Sequence, residues 1–188
     1  MYLTGLTIGS IVVLAVIVVV WGISVYNRLI NMRTLKEEGW SGIDVQLKRR
    51  HDLIGNLVNT IKGYMQHEKA VLEEIARLRT AAQQASGVAN VAAAESGLNQ
   101  ALGRLFAVME NHPDLKANTN AMHLQESLTV LEDDIHKARR YYNATVRDLN
   151  IIIQSFPSNI IARRFNFKED EFFELNNAAE AAVPEVYF

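Results

Sequence analysis

The sequence predicts an all-α protein in which an N-terminal transmembrane helix is followed by an antiparallel bundle of long helices. Residues 3–21 are apolar and uncharged, and later apolar residues recur at steps of three, four or seven, the spacing of one helix face. Only three prolines occur in 188 residues, so long stretches are uninterrupted. We therefore expect a transmembrane anchor at residues 1–27, a helical bundle at residues 28–175 and a C-terminal tail at residues 176–188.

The N-terminal apolar run has the length of a membrane span. From Leu3 to Trp21 it would rise roughly 29 Å as a helix, which matches the hydrocarbon core of a bilayer. No basic residue precedes the run and no small-residue cleavage site follows it, so we expect an uncleaved anchor rather than a signal peptide. Arg28, Arg33 and Lys36 come after it, so the positive-inside rule predicts an outside N-terminus and a cytoplasmic soluble domain.

The first soluble helix is expected between Trp40 and Ala85, where no proline occurs. Its beginning has two interpretations: Ser41 can cap a separate helix, or the anchor helix can run straight through. The apolar residues that indicate one helix face are Ile43, Leu47, Ile54, Leu57, Ile61, Tyr64, Leu72, Ile75 and Leu78.

Two further helices are expected after a small, polar turn at residues 83–90. The second helix, at residues 91–111, is stopped by Pro113, which cannot donate an amide. The third begins near residue 118 or 119 and runs to Phe156 with apolar residues at alternating steps of four and three, a coiled-coil type of packing. Pro157 ends it, and residues 158–173 are expected to form a short helix and connector.

The predicted lengths of the second and third helices differ. The third helix would be about 57 Å long and the second about 30 Å. The apolar end of the third helix therefore extends beyond the second and must be covered by the C-terminal segment or another subunit. This end is one candidate interaction surface, and a basic run in the first soluble helix is the other. The candidate interaction residues are Lys48, Arg49, Arg50 and His51 in the basic run, and Ile151, Ile152, Phe156 and Ile160 at the apolar end.

The basic run has a simple interpretation, as a solvated helix face, and a functional one, as a docking patch for anionic lipid or an acidic partner. If the first soluble helix continues the anchor, the run lies too far from the bilayer for direct lipid contact. His51 stands at a core-facing position between Leu47 and Ile54, so we expect a buried, hydrogen-bonded histidine rather than a pH switch. The acidic residues 132–134 either face Arg49 or Arg50 across the bundle or lie on a solvated surface.

Composition excludes several classes of function. The absence of cysteine excludes disulfides, thiolate zinc sites and a cysteine nucleophile, and a formal charge of −2 makes nucleic acid a poor partner. His67 and Glu68 resemble the start of a zinc-protease helix, but Val71 occupies the place of the second histidine. No Glu-x-x-His motif of a di-metal bundle occurs. We expect no catalytic residues, no metal site and no cofactor, and a protein that is not an enzyme.

Six short stretches follow one another along most of the chain: 26–29 (YNRL), 44–54 (DVQLKRRHDLI), 62–64 (KGY), 110–118 (ENHPDLKAN), 138–143 (ARRYYN) and 156–159 (FPSN). Together they resemble the LemA family. The resemblance implies an N-terminally anchored antiparallel helical bundle in a bacterial inner membrane, in a family without a defined biochemical activity. Some members of the family are thought to work beside membrane proteases or in envelope stress responses. Gly55 departs from the family pattern, which usually has proline there, as does Ala121-Met122-His123, where an aromatic is commoner.

The leading functional prediction is a single-pass membrane-anchored scaffold or adaptor, in a homo-oligomer or with another membrane protein, in membrane-protein quality control or an envelope stress response. One alternative is a metal-binding or enzymatic helical bundle built on scattered carboxylates and histidines. The other is a membrane-remodelling protein whose charged helix face binds anionic lipid. The predicted partners are the lipid bilayer and a second copy or another membrane protein, and not nucleic acid.

Overall fold

The computed structural model describes the backbone of residues 2–174 and the side chains of residues 9–174, and the expected tail at residues 176–188 lies outside the described residues. This part of the chain is helical and contains no strand, which confirms the predicted all-α class. The helices are α1 (Tyr2–Ile61), α2 (Lys69–Gln84), α3 (Val88–Glu110), α4 (Pro113–Lys116), α5 (Thr119–Gln154) and α6 (Ser158–Arg164).

The predicted single helix from Trp40 to Ala85 is wrong. The anchor runs straight into the soluble part as one helix, α1, which ends at Ile61, and a separate helix, α2, begins at Lys69. The chain tightens and turns between them: the Tyr64 amide donates to the Ile61 carbonyl at 2.9 Å, and the Glu68 amide donates to the Met65 carbonyl at 3.1 Å, each three residues back instead of the four of an α-helix. Met65 is buried by this turn, so core packing stabilises the break.

The later helices agree with the sequence. The second predicted helix corresponds to α3 and the third to α5, and the predicted short helix after Pro157 is α6. The turn before α3 contains Gly87 with a φ of 83°, a left-handed conformation that glycine adopts without steric cost. Pro113 ends α3 and also begins the four-residue helix α4, since a proline at the first helical position lacks only an amide that would be unpaired there.

The N-terminal part of α1 has the length and apolar composition needed to cross a membrane, and α1 is the only such helix among the described residues. Its large side chains between Ile11 and Val20 are all exposed. A helix that is apolar all round and has no protein packed on it is typical of a segment whose solvent is lipid.

The described residues group into two compact units. The first unit comprises residues 2–40 with 141–170, and the second comprises residues 41–140 with 171–174. In the first unit the backbones of α1 and α5 approach closely: a Cβ atom built on Gly39 would stand 3.2 Å from Cα of Tyr142. The buried core of this unit consists of Leu29, Leu149, Ile152, Ile153 and Ala162.

The second unit is a bundle in which α1, α2, α3 and α5 share one apolar core. Its fully buried members follow the helical spacing expected from the sequence, and together they remove enough apolar surface from water to stabilise the bundle. Phe173 is also buried in this unit, with the guanidinium carbon of Arg139 lying 5.5 Å from its ring centroid. The main core residues are Ile54, Leu57, Ile61, Met65, Leu72, Ile75, Leu98, Leu102, Leu105, Met109, Leu115 and Leu128.

Candidate functional site

A network of charged side chains is buried inside the second unit. Arg50 of α1 donates from Nη1 to Oε2 of Glu95 at 3.0 Å, and its Nη2 lies 3.2 Å from Oε2 of Glu132. Nη2 also donates to Oδ1 of Asn99. The guanidinium therefore links α1, α3 and α5, and its planar donor fork is satisfied by two carboxylates and an amide.

His51, the neighbour of Arg50, completes the network. Its Nε2 lies 2.6 Å from Oε1 of Glu95, so that one carboxylate binds both neighbouring side chains of α1. Its backbone carbonyl accepts a hydrogen bond from Nε of Arg79, at 2.6 Å. The prediction of a buried, hydrogen-bonded His51 is confirmed by this geometry.

Glu95 is only 1 % exposed, which places a carboxylate within the apolar face of α3. A buried charge costs several kcal/mol unless it is paired, and Arg50 and His51 supply the pairing here. Glu95 and Asn99 are not among the candidate residues predicted from the sequence. A signal existed, because Val91, Glu95, Leu98 and Leu102 follow one another at steps of four, three and four, which puts Glu95 at a core-facing position.

The basic run divides between interior and surface. Arg50 and His51 are interior, and Lys48 and Arg49 are exposed. The acidic run also divides, since Glu132 pairs with Arg50, as one interpretation of the sequence expected, while Asp133 is exposed. The structure therefore brings two residues of the basic run and one of the acidic run together in the bundle, and leaves Lys48, Arg49 and Asp133 on the surface.

Arg49 lies in a shallow groove of about 220 Å³ between α1 and α5 of the second unit. Two acidic side chains, Glu126 and Asp134, line the same groove. Val130 lies between them and is 58 % exposed, which is high for a branched apolar side chain. Together with His123, Ser127 and Leu131, these side chains give the groove a lining of mixed charge with apolar groups among the charged ones.

The apolar end of α5 is partly covered. Ile152 is buried in the core of the first unit, where α1 and α6 pack against it. Ile151, Phe156 and Ile160 remain exposed. Ile152 is thus covered by α1 and α6 of the same chain, while the other three candidate residues stay on the surface, where cover by another subunit remains a prediction.

Fold and site together define a class: a membrane-associated helical protein whose long N-terminal helix enters an ion-paired bundle. The family model for the LemA family matches residues 39–188, so this chain belongs to the LemA family.

Several relatives are similar over most of this chain. The magnetosome protein MamQ 2 of Paramagnetospirillum magneticum is 27 % identical over 184 residues, which cover 84 % of this chain and 68 % of the relative. MamQ of Magnetospirillum gryphiswaldense is 24 % identical over 190 residues, covering 86 % and 70 %. Protein LemA of Metamycoplasma hominis is 23 % identical over 164 residues, covering 84 % and 72 %.

Proposed function

We propose that this protein is a membrane-anchored scaffold that acts by protein contact rather than catalysis, with a second copy of the chain as its partner. The anchor lies in a bacterial inner membrane with its N-terminus outside and the bundle in the cytoplasm. The observation that carries the proposal is the mixed charge of the α1–α5 groove, where Arg49 lies beside Glu126 and Asp134.

Such a surface is complementary to itself. In a two-fold symmetric dimer the same patch is used twice, so that a basic group of one copy meets an acidic group of the other. Val130 supplies an exposed apolar group at the centre of the patch, and Lys48 adds a second exposed cation next to Arg49. Opposite charges around an apolar centre favour pairing of two identical patches over binding of a uniformly charged surface.

The alternative in which the basic run binds anionic lipid has less support from the second unit itself. Arg50 and His51 are buried there and paired with Glu95, so only Lys48 and Arg49 of the run are exposed to a membrane surface.

The metal-binding or enzymatic alternative also lacks support. Among the residues whose side chains are described, no group of three histidine, aspartate or glutamate side chains is arranged to hold a metal ion. The buried carboxylate that a catalytic site would use, that of Glu95, is already engaged by Arg50 and His51.

Thiol crosslinking of the full-length protein in native membranes tests the proposal, because the natural chain has no cysteine. A Val130→Cys variant should form a covalent dimer under mild oxidation. An Ala93→Cys variant is the matched control, since Ala93 is exposed on α3, which contributes no residue to the groove. A dimer at Val130 but not at Ala93 supports the proposal. A Val130 adduct with a different protein would replace self-association with an adaptor role, and the absence of any adduct would contradict both.

Charge exchange adds a test of the contact itself. Arg49→Glu should weaken dimer formation, and combining it with Asp134→Arg should restore it. Each exposed ion pair contributes about 0.2–1 kcal/mol, so two symmetry-related pairs predict a change of about 2- to 30-fold in the dimer dissociation constant. Equal loss in the single and double variants would show that Arg49 and Asp134 do not face each other across the dimer.

A further inference from the structure

Three large apolar side chains form an exposed surface at the turn between α5 and α6 in the first unit. We name Ile151, Phe156 and Ile160 the apolar tip. Phe156 is 81 % exposed and Ile160 is 56 % exposed. Exposed apolar groups that cluster in this way mark a surface that another apolar phase covers.

The contacts of the first unit show where on α1 the apolar tip lies. Leu29 shares a core with Ile152 and Ile153 of α5, and a Cβ atom built on Gly22 would stand 3.7 Å from Cδ1 of Ile161. Since Gly39 approaches Tyr142 and Leu29 packs on Ile152, α5 runs antiparallel to α1, and Ile161 of α6 then contacts α1 at Gly22. The turn between α5 and α6 therefore lies beside residues 22–29, directly after the apolar run that ends at Trp21.

The chain after the turn returns along α1. The ring of Tyr26 lies 4.7 Å from that of Phe165, the guanidinium carbon of Arg33 lies 5.6 Å from the ring centroid of Phe167, and further on Lys36 pairs with Asp170 at 2.8 Å. α5 and the following segment thus form a hairpin packed on α1. Its closed end points along α1 towards the apolar run, so the apolar tip is the part of the hairpin nearest to the predicted membrane span.

The charges around the apolar tip are mostly positive. Arg163 and Arg164, in the last turn of α6, are exposed, as is Arg28 of α1. Asp148, one turn before Ile151, is paired with Arg147 at 3.0 Å, and no aspartate or glutamate occurs in residues 1–36 or in residues 149–168. An apolar surface bordered by arginines matches the interface of a bilayer, where acyl chains lie beneath anionic headgroups.

We propose that the apolar tip inserts into the headgroup and upper acyl region of an anionic bilayer, as a second membrane contact beside the transmembrane helix. This inference rests on the membrane anchoring in the proposed function. A single transmembrane helix is free to rotate about its axis. A transmembrane helix and a neighbouring apolar tip together fix which face of the protein is turned towards the membrane surface. The tip would thereby orient the cytoplasmic residues of α1.

Fluorescence of the full-length protein in phosphatidylglycerol and phosphatidylcholine vesicles tests this proposal. A lipid-sensitive fluorophore is attached at Ser155→Cys, an exposed position that leaves the apolar tip intact. Labels at Val16→Cys, in the apolar run, and at Ala93→Cys, exposed on α3 outside the groove, are the membrane and water references. Brominated lipid should quench the Ser155 label severalfold more than the Ala93 label, and iodide should quench it severalfold less.

Substitution of the tip provides a second measurement on the same label. Phe156→Asp should lower quenching by brominated lipid towards the Ala93 level, because a carboxylate does not partition into acyl chains. Val45→Asp in the same labelled protein is the matched control and should leave the signal unchanged, since Val45 is exposed and lies outside both the apolar tip and the groove. Since Phe156 is exposed, helix content by circular dichroism should be the same in both variants.

The outcomes separate this inference from the anchoring itself. Quenching by brominated lipid at Val16 but not at Ser155, with Ser155 open to iodide, would overturn the inference and leave the anchor intact. A Ser155 label protected from both quenchers would show that protein covers the tip, which also overturns it. A Val16 label that brominated lipid fails to quench would contradict membrane insertion, and both proposals would then fail.

Discussion

Removal of the Glu95 carboxylate should destabilise the second unit strongly. In Glu95→Ala, Nη1 of Arg50 loses a partner at 3.0 Å and Nε2 of His51 loses one at 2.6 Å, and both side chains remain buried. Breaking a buried ion pair by deleting one partner costs about 3–5 kcal/mol, because the remaining charge has neither water nor partner. Arg50 retains Glu132 and Asn99, which favours the lower part of that range.

The matched control for this variant is an exposed pair with the same chemistry. Nη2 of Arg104 lies 2.8 Å from Oε1 of Glu74, and both side chains are more than one-third exposed. Glu74→Ala should therefore lower the free energy of unfolding by only about 0–1 kcal/mol, since exposed ion pairs contribute little to stability.

Thermal unfolding of the full-length protein in mild detergent, followed by circular dichroism, measures both variants. The expected loss for Glu95→Ala corresponds to a fall of about 6–20 °C in Tm for a chain of this size. Equal Tm values for the Glu95 and Glu74 variants would refute the conclusion that the buried network stabilises the bundle.

Two further predictions concern close packing. Gly39→Ala should destabilise the protein by about 1–3 kcal/mol, because the added Cβ would meet Cα of Tyr142 at 3.2 Å. Gly42→Ala, with open space around it, should instead stabilise α1 by up to about 1 kcal/mol. Chemical denaturation measures the free energy of unfolding of both variants, and shifts of the same sign would contradict this reasoning. Phe173→Ala should lower the free energy of unfolding by about 3–5 kcal/mol, because the ring is 1 % exposed and its removal leaves a cavity. A Tm equal to that of the natural protein would show that Phe173 adds no stability to the second unit.

The sequence predicted α3 and α5 well because both carry a single apolar face and end at strong signals. Pro113 and Pro157 act through their own covalent structure, so their effect is local and can be read without knowledge of the fold. Of the two interpretations of the acidic run, pairing with the basic run applies at Glu132, where a partly buried carboxylate meets the buried Arg50, and a solvated surface applies at Asp133.

The break after Ile61 could not be read in the same way. No proline marks it, and the apolar spacing of Ile61 and Met65 is also that of a continuing helix. Gly63 weakens a helix by only about 1 kcal/mol relative to alanine, which is too little to end one by itself. The break depends instead on burial of Met65 and on packing of α2 against α3, both of which are properties of the folded bundle.

α1 changes its surroundings within a short distance, and that change connects the anchor with the apolar tip. Up to Trp21 every described large side chain of α1 is exposed, and Leu29 is the first to be fully buried. Between these two residues, Ile161 packs beside Gly22 and the ring of Phe165 contacts that of Tyr26. Before this interval α1 is apolar all round, which suits a lipid environment. After it α1 is apolar on one face only, which suits packing against protein. The apolar tip lies beside this interval. Its exposed side chains therefore lie where the apolar run ends and packing of the hairpin on α1 begins.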